Sequence, residues 1–302
     1  MTGASTPIGS VENHRRREEG AMVYPVYSRR SGGLSVGINL FPDAKVCSFD
    51  CPYCEVFPFK TDIVFSLKTM EGALRRVLAE AAARDRPVRD ICFSGNGEPT
   101  LSPHFPEALE AAARIRDALV PAAALVLITN GTGLLEDRTF DLLRRAASGP
   151  MALSVWLKLD AGTEAWYAQI DRSSLPLTLL TTRIREFTGA APYTIQTMLC
   201  AVQRMPPPVE EARAWEALVL DLAAVNKPPA GVPGNGGAAR RGKPGLRKVQ
   251  IYGKARPSPR DPLTAALPAA FLESRAASLK KALEAADLRD PAGGPIPVEV
   301  FP

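Results

Sequence analysis

Cys47-Ser-Phe-Asp-Cys51-Pro-Tyr-Cys54 places three cysteines on one short stretch, spaced by three and then two residues. Thiolates at this spacing can converge on a compact inorganic core, and cysteine thiolates are the usual ligands of iron–sulfur clusters. Three of them leave one iron of a four-iron cube unclaimed. An open iron can be chelated by the amino and carboxylate groups of S-adenosylmethionine. The competing reading, a structural zinc site, needs four closed Cys or His ligands. The other cysteines, Cys92 and Cys200, lie far along the chain, and the histidines are His14 and His104. Buried cysteines without a metal are the third reading.

Other stretches carry polar residues where chemistry would need them. Ser94-Gly-Asn-Gly-Glu-Pro-Thr100 follows an apolar strand pattern, and its glycines permit a close backbone approach. Taken alone it is an ordinary glycine-rich turn. Thr129-Asn130-Gly131 and Lys158-Leu-Asp160 end two further strand patterns. A lysine and an aspartate inside an apolar strand end are costly unless they pair or meet a ligand. They read equally as an ion pair or as catalytic and cofactor-binding groups. Gln196 alternates with Ile195 and faces the side opposite to it, as a cofactor contact or as a satisfied core amide.

The elements that must position these residues follow a regular order. Strand patterns at 34–40, 90–93, 124–129, 152–159, 193–199 and 248–252 alternate with helical patterns at 68–84, 105–119, 136–147, 164–170, 175–187 and 209–225. A helix at 269–286 and a strand at 297–301 close the chain. Repeated βα units with short connections imply parallel strands and right-handed crossovers. The expected fold is α/β, a partial (β/α)6 TIM-like barrel with mostly parallel strands. In such a barrel functional loops follow the C-terminal ends of strands, which is where the cysteine stretch, Asn130 and Lys158 fall.

Composition sets the outer limits. With 302 residues, 46% hydrophobic and 23% charged, the chain is of ordinary globular make-up. Residues 1–22 read as a flexible tail and 23–302 as one domain, interrupted by a flexible Gly/Pro-rich loop at 226–246. An odd count of five cysteines, three of them crowded, points to metal and a reducing compartment. Residues 1–33 contain no apolar signal core, and there is no run of about 18 apolar residues. A cytoplasmic protein without a membrane anchor is expected. The net charge of +5 is modest, but residues 240–260 carry Arg240, Arg241, Lys243, Arg247, Lys248, Lys254, Arg256 and Arg260. That stretch suits a polyanion or a solvated loop flanking a strand.

The cysteine spacing resembles that of the radical S-adenosylmethionine superfamily. The ordered set Ser28-Arg29-Arg30, Gly37-Ile-Asn39, Cys47 to Cys54, Ser94 to Thr100, Lys158-Leu-Asp160, Ile195-Gln196 and Val249 to Tyr252 is similar to one branch of it, the Fe–S oxidoreductases related to the wyosine tRNA-modifying synthases. The resemblance implies a [4Fe–4S] cluster on Cys47, Cys51 and Cys54, and reductive cleavage of S-adenosylmethionine to a 5′-deoxyadenosyl radical that abstracts substrate hydrogen. It implies cofactor contacts at Tyr53, Gly95, Asn96, Gly97, Glu98, Asn130, Lys158 and Gln196, with Lys158 and Asp160 in catalytic positions. A flavodoxin or ferredoxin as low-potential donor follows, with a tRNA base as substrate. A radical activase or peptide modifier, and a non-catalytic iron–sulfur RNA-binding redox sensor, are the alternatives. The wyosine enzymes hold a second cluster on upstream cysteines, whereas no cysteine here precedes Cys47.

Overall fold

The computed structural model describes residues 21–225, 243–258 and 261–302. Most of the expected tail, residues 226–242 of the expected loop, and Arg240, Arg241 and Arg260 lie outside the described residues. The α/β class with mostly parallel strands is the one found. The described residues form two compact units, one from residues 21–47 and 58–128 and the other from residues 48–57 and those described beyond 128.

In the first unit, β2 (Gly33–Ile38), β3 (Val88–Phe93) and β4 (Ala124–Thr129) run parallel. A strand not expected from the sequence, β1 (Val23–Ser28), pairs antiparallel with β2. Its Pro25 lacks an N–H and breaks the alternating pattern, which an edge strand tolerates. Helix α1 (Leu67–Ala83) starts where the Ser66 side chain accepts from the Thr69 N–H at 3.3 Å. It buries Met70, Leu74, Leu78 and Ala81, the stripe that its helical periodicity demands. Helix α2 (Phe105–Leu119) begins after His104, whose ring stacks on Phe65 with centroids 4.9 Å apart. His104 is thus a helix-start residue.

In the second unit, β5 (Ser154–Lys158), β6 (Pro192–Ala201), β7 (Gly245–Gly253) and β9 (Val298–Phe301) run parallel. A two-residue strand, β8 (Ala265–Ala266), adds antiparallel to the end of β6. Strand β7 starts three residues earlier than its apolar pattern suggests, because Gly245 and Leu246 pair with Pro192 and Tyr193. Those two residues therefore belong to the sheet rather than to the expected loop. Helices α3 (Asp137–Ser148), α4 (Glu164–Ile170), α5 (Leu177–Ala190), α6 (Val209–Ala224) and α7 (Ala269–Ala285) fill the connections. Three parallel strands, β2 to β4, in the first unit and three, β5 to β7, in the second supply the six strands that a (β/α)6 arrangement requires. Among the described residues, no helix is long and apolar enough to cross a membrane.

Candidate radical-cofactor site

In the first unit the glycine-rich turn after β3 holds the strand that leads into Cys47. Val46 forms a parallel bridge with Gly97: its N–H donates to the Asn96 carbonyl at 3.1 Å, and its carbonyl accepts from the Glu98 N–H at 2.8 Å. Gly97 sits at φ +156°, and a Cβ there would lie 1.8 Å from the Val46 carbonyl oxygen. The glycine is required by protein backbone. Gly95, at φ +133°, is pressed in the same way against the Asn39 side chain.

Asn39 Oδ1 accepts from the N–H groups of Phe41 at 3.1 Å and Asn96 at 3.2 Å, and Asn96 Nδ2 donates to the Phe41 carbonyl at 3.2 Å. Glu98 is buried, and its Oε1 accepts from the Thr100 N–H and hydroxyl at 3.1 and 2.7 Å. Within this unit, then, Asn96 and Glu98 build the turn and the cysteine approach. Asn39 was not a candidate from sequence, although it stands in the Gly37-Ile-Asn39 segment of the resemblance.

The second unit carries Cys51 and Cys54. Its loop folds into a turn in which the Cys54 N–H donates to the Cys51 carbonyl at 3.0 Å. Asn130 anchors the loop's start: Nδ2 donates to Ser48 Oγ at 2.9 Å while Oδ1 accepts from the Thr132 N–H and hydroxyl at 3.0 and 2.8 Å. Asp171 holds its middle, with its carbonyl accepting from the Asp50 N–H at 3.0 Å and Cys51 Sγ lying 3.7 Å from its Oδ1. The Phe49 ring meets Tyr167 edge-on at 5.6 Å.

Behind Cys51 lies a buried polar cluster. Lys158 Nζ pairs with Asp160 Oδ2 at 2.9 Å and donates to the Tyr252 hydroxyl at 2.5 Å. The same ammonium sits 4.9 and 5.1 Å from the ring centroids of Tyr53 and Tyr252. The Tyr53 hydroxyl donates to Asp160 Oδ2, and Asp160 Oδ1 accepts from the Met198 N–H at 2.8 Å. Of the two readings of Lys158 and Asp160, the ion pair is what the structure displays. Gln196 is wholly buried and donates from Nε2 to Gln250 Oε1 at 2.7 Å.

The electrostatics follow from burial. Burial, followed by the Asp171 carboxylate, holds the Cys51 thiol well above its ordinary value. Burial and Asp160 do the same to the Tyr53 hydroxyl, and burial together with Asp160 raises Asp171. For Lys158 burial works against the charge, but Asp160, Tyr252 and Cys51 outweigh it and keep the ammonium charged above the usual lysine range. Cys92 and Cys200 are buried thiols pushed up to about 12, by burial first and then by Asp90 and Asp160 respectively.

None of the five cysteines is in a disulfide; Cys47 is exposed and Cys51 and Cys54 are half-buried. Among the described residues, no three Cys, His, Asp or Glu side chains are drawn together into a metal cage. The donor set nevertheless fits an iron–sulfur cluster better than zinc. Three cysteines outside any disulfide share one short stretch, and a thiol held protonated by burial gives up its proton to a coordinating metal. Asp171 and Tyr252 escaped the sequence reading. No local pattern marks Asp171, which stands 120 residues from Cys51; Tyr252 stood only in the segment of the resemblance.

Residues 42–172 match the model of the Radical SAM superfamily. A UPF0026 protein of Helicobacter pylori is 32% identical over 124 residues, 40% of this chain and 38% of that protein. A UPF0026 protein of Synechocystis is 32% identical over 191 residues, 59% of this chain and 64% of its own length. The chain thus spans between about a third and two thirds of these curated relatives. Among solved structures, Streptococcus suis SuiB bound to the precursor peptide SuiA superposes with a TM-score of 0.59 at 11% identity, covering 90% of this chain and 51% of SuiB. A radical SAM methyltransferase from Sphaerobacter thermophilus gives 0.58 at 14% identity, covering 92% and 68%. At such identities the likeness shows a shared fold.

Proposed function

We propose that the chain, whose residues 42–172 match the Radical SAM superfamily, is a radical SAM enzyme with a [4Fe–4S] cluster and S-adenosylmethionine as cofactors, and that Cys47, Cys51 and Cys54 hold the cluster for hydrogen abstraction from a tRNA base. When bound, these cofactors supply one-electron reductive cleavage of the sulfonium and the abstracting radical. The protein's part is positioning. Gly97 and Asn96 fix the approach to Cys47, while Asn130 and Asp171 anchor the loop that carries Cys51 and Cys54. Lys158, kept cationic by Asp160, provides fixed positive charge beside Cys51, suited to an anionic cluster and a cofactor carboxylate. Tyr53 packs its ring beside that charge. A flavodoxin or ferredoxin in the cytoplasm supplies the electron.

The observation that carries this reading is the three-thiol loop within the matched domain, anchored next to the Lys158–Asp160 cluster. The tRNA base rests on the order of motifs shared with the wyosine-related branch and on the basic stretch 240–260. One observation favours the alternative, a radical peptide modifier: Lys248 is paired with Glu299 and Arg256 with Glu55, which removes two cations from that stretch. SuiB, similar in fold, is a structure with a bound precursor peptide.

The test is release of 5′-deoxyadenosine from S-adenosylmethionine by anaerobically reconstituted, dithionite-reduced protein, beside Cys51→Ala. Nucleoside from the parent and none from the variant is expected. No nucleoside despite full iron and sulfide loading refutes the catalytic reading. Acceleration by bulk tRNA, lost together with its salt dependence when Arg240, Arg241 and Lys243 become Ala, supports the base substrate. Acceleration by a peptide instead supports the alternative.

A further inference from the structure

The ammonium of Lys158 is held in place by groups from three parts of the second unit. The segment after β5 supplies Asp160, whose Oδ2 lies 2.9 Å away. From β7, the Tyr252 hydroxyl accepts at 2.5 Å. Strand β6 runs between β5 and β7, and Met198 is the register partner of Tyr252, so the lysine side chain reaches across β6 to make that bond. The cysteine loop contributes the third group, the Tyr53 ring, whose centroid is 4.9 Å from Nζ. Tyr53 stands between Cys51 and Cys54 in the chain. A positive charge therefore sits against the segment that links these two cysteines.

Asp160 does not cancel this charge at Cys51. Burial and Asp171 hold that thiol above its ordinary value; among the weaker influences Lys158, which pulls it down, outranks Asp160, which pushes it up. Seen from Cys51 the ion pair acts as a net positive charge. The aspartate side chain has no exposure and the lysine only 13%, so salt screens the charge little.

We propose that Tyr252 is a positioning residue that seats the Lys158 ammonium beside the cysteine loop, where its charge raises the reduction potential of the iron–sulfur cluster; this rests on the reading of Cys51 and Cys54 as cluster ligands. Reduction moves one electron from the low-potential donor to the cluster. The donor is oxidised, the cluster gains one negative charge, and no proton is transferred. Net charge and surroundings set the potential of such clusters. A nearby cation favours the more negative, reduced form and makes the cluster easier to reduce. With Asp160 alone, the flexible lysine stem could swing about one anchor. Tyr252 adds a second bond from another strand, which fixes where the charge lies.

The experiment is a redox titration of anaerobically reconstituted proteins of equal iron content, without S-adenosylmethionine. Electron paramagnetic resonance of the reduced cluster is the readout, with thermal midpoints in parallel. Lys158→Met is expected to make reduction about tenfold less favourable, a potential about 59 mV lower for a one-electron couple. Tyr252→Phe keeps the ring and loses the hydroxyl, and a shift of about threefold, roughly 28 mV lower, is expected. Lys158→Arg keeps the charge and should stay within about twofold of the parent. With Lys158 already replaced by Met, adding Tyr252→Phe should lower the potential no further, because Tyr252 acts through the lysine. A merely structural role would move the thermal midpoints and leave the potentials alike.

An unchanged potential in Lys158→Met or in Tyr252→Phe overturns the proposal, as does a further fall when Tyr252→Phe is added to Lys158→Met. If Lys158→Met takes up no cluster, Tyr252→Phe and Lys158→Arg decide between them. A fall in the first with the second near the parent supports the proposal; a fall in both, or in neither, overturns it. Parent protein that takes up no iron and sulfide refutes instead the assignment of the cluster to these cysteines, and the proposal with it.

Discussion

Replacing Lys158 by Met removes the cation from a site where the Asp160 side chain has no exposure and the lysine only 13%. Methionine fills nearly the same volume, so the loss is electrostatic rather than one of packing. Asp160 retains donors from the Tyr53 hydroxyl and the Met198 N–H, but its charge is left unbalanced in a water-poor interior. Removing one partner of such a buried pair costs about 3–5 kcal/mol. That is a large share of the roughly 5–15 kcal/mol that holds a domain together. The thermal midpoint should drop by roughly 10 °C. The assay is urea unfolding of the cluster-free protein, followed by circular dichroism. The double variant Lys158→Met with Asp160→Asn is the control. Asparagine can keep its oxygen on the Met198 N–H, turn its NH2 to the Tyr53 hydroxyl, which can also accept, and carries no charge, so it should recover most of the loss. A single-variant loss below about 1 kcal/mol, or a double variant no better than the single, would show that charge balance is not what Lys158 contributes.

Three further outcomes follow from the geometry. Gly97→Ala places a methyl against the Val46 carbonyl and must displace the strand that enters Cys47, so iron bound per chain after reconstitution should fall well below the parent's; full loading would refute the role given to Gly97. Glu211 accepts from the Gly162 N–H at 2.6 Å and from the Thr163 N–H and hydroxyl at 3.0 and 2.6 Å, so Glu211→Ala should cost about 2 kcal/mol in denaturant unfolding, against near zero if water replaces the carboxylate.

Glu164 accepts from the Leu177 and Thr178 N–H groups at the start of α5, and those bonds lower its pKa below the ordinary 4.5. Its contribution is therefore present above about pH 4.5 and lost as pH falls through the lower folded value. Because the side chain is largely solvated, Glu164→Gln should cost only about 0.5 kcal/mol at neutral pH, and the difference from the parent should close in acid. A gap that persists at pH 3 would argue against the charged cap.

The parts legible in the sequence are those that depend on near neighbours in the chain. Cysteine spacing sets how many thiols one loop can offer a metal, and none of the three is taken up in a disulfide. The alternation of apolar patterns located α2 and β4 to the residue, because in each case a single periodicity covers the whole element. β1 was missed because its Pro25 and exposed Tyr27 conceal the period, and what makes it a strand is its partner β2.

What each polar residue of the site does was decided by tertiary structure. Gly97 leaves room for the Val46 carbonyl, and Gly95 for the Asn39 side chain. Asn130 reaches back 82 residues to Ser48, and Lys158 reaches forward 94 to Tyr252. Such contacts are set by strand register and crossover, which bring distant positions to one face and leave no trace in local spacing. Ligand number is a property of a few covalently linked residues and can be read directly. The charge of Lys158, the anchoring of Cys51 by Asp171 and the direction of the Gln196 amide depend on what is packed against them, and only the folded chain supplies those partners.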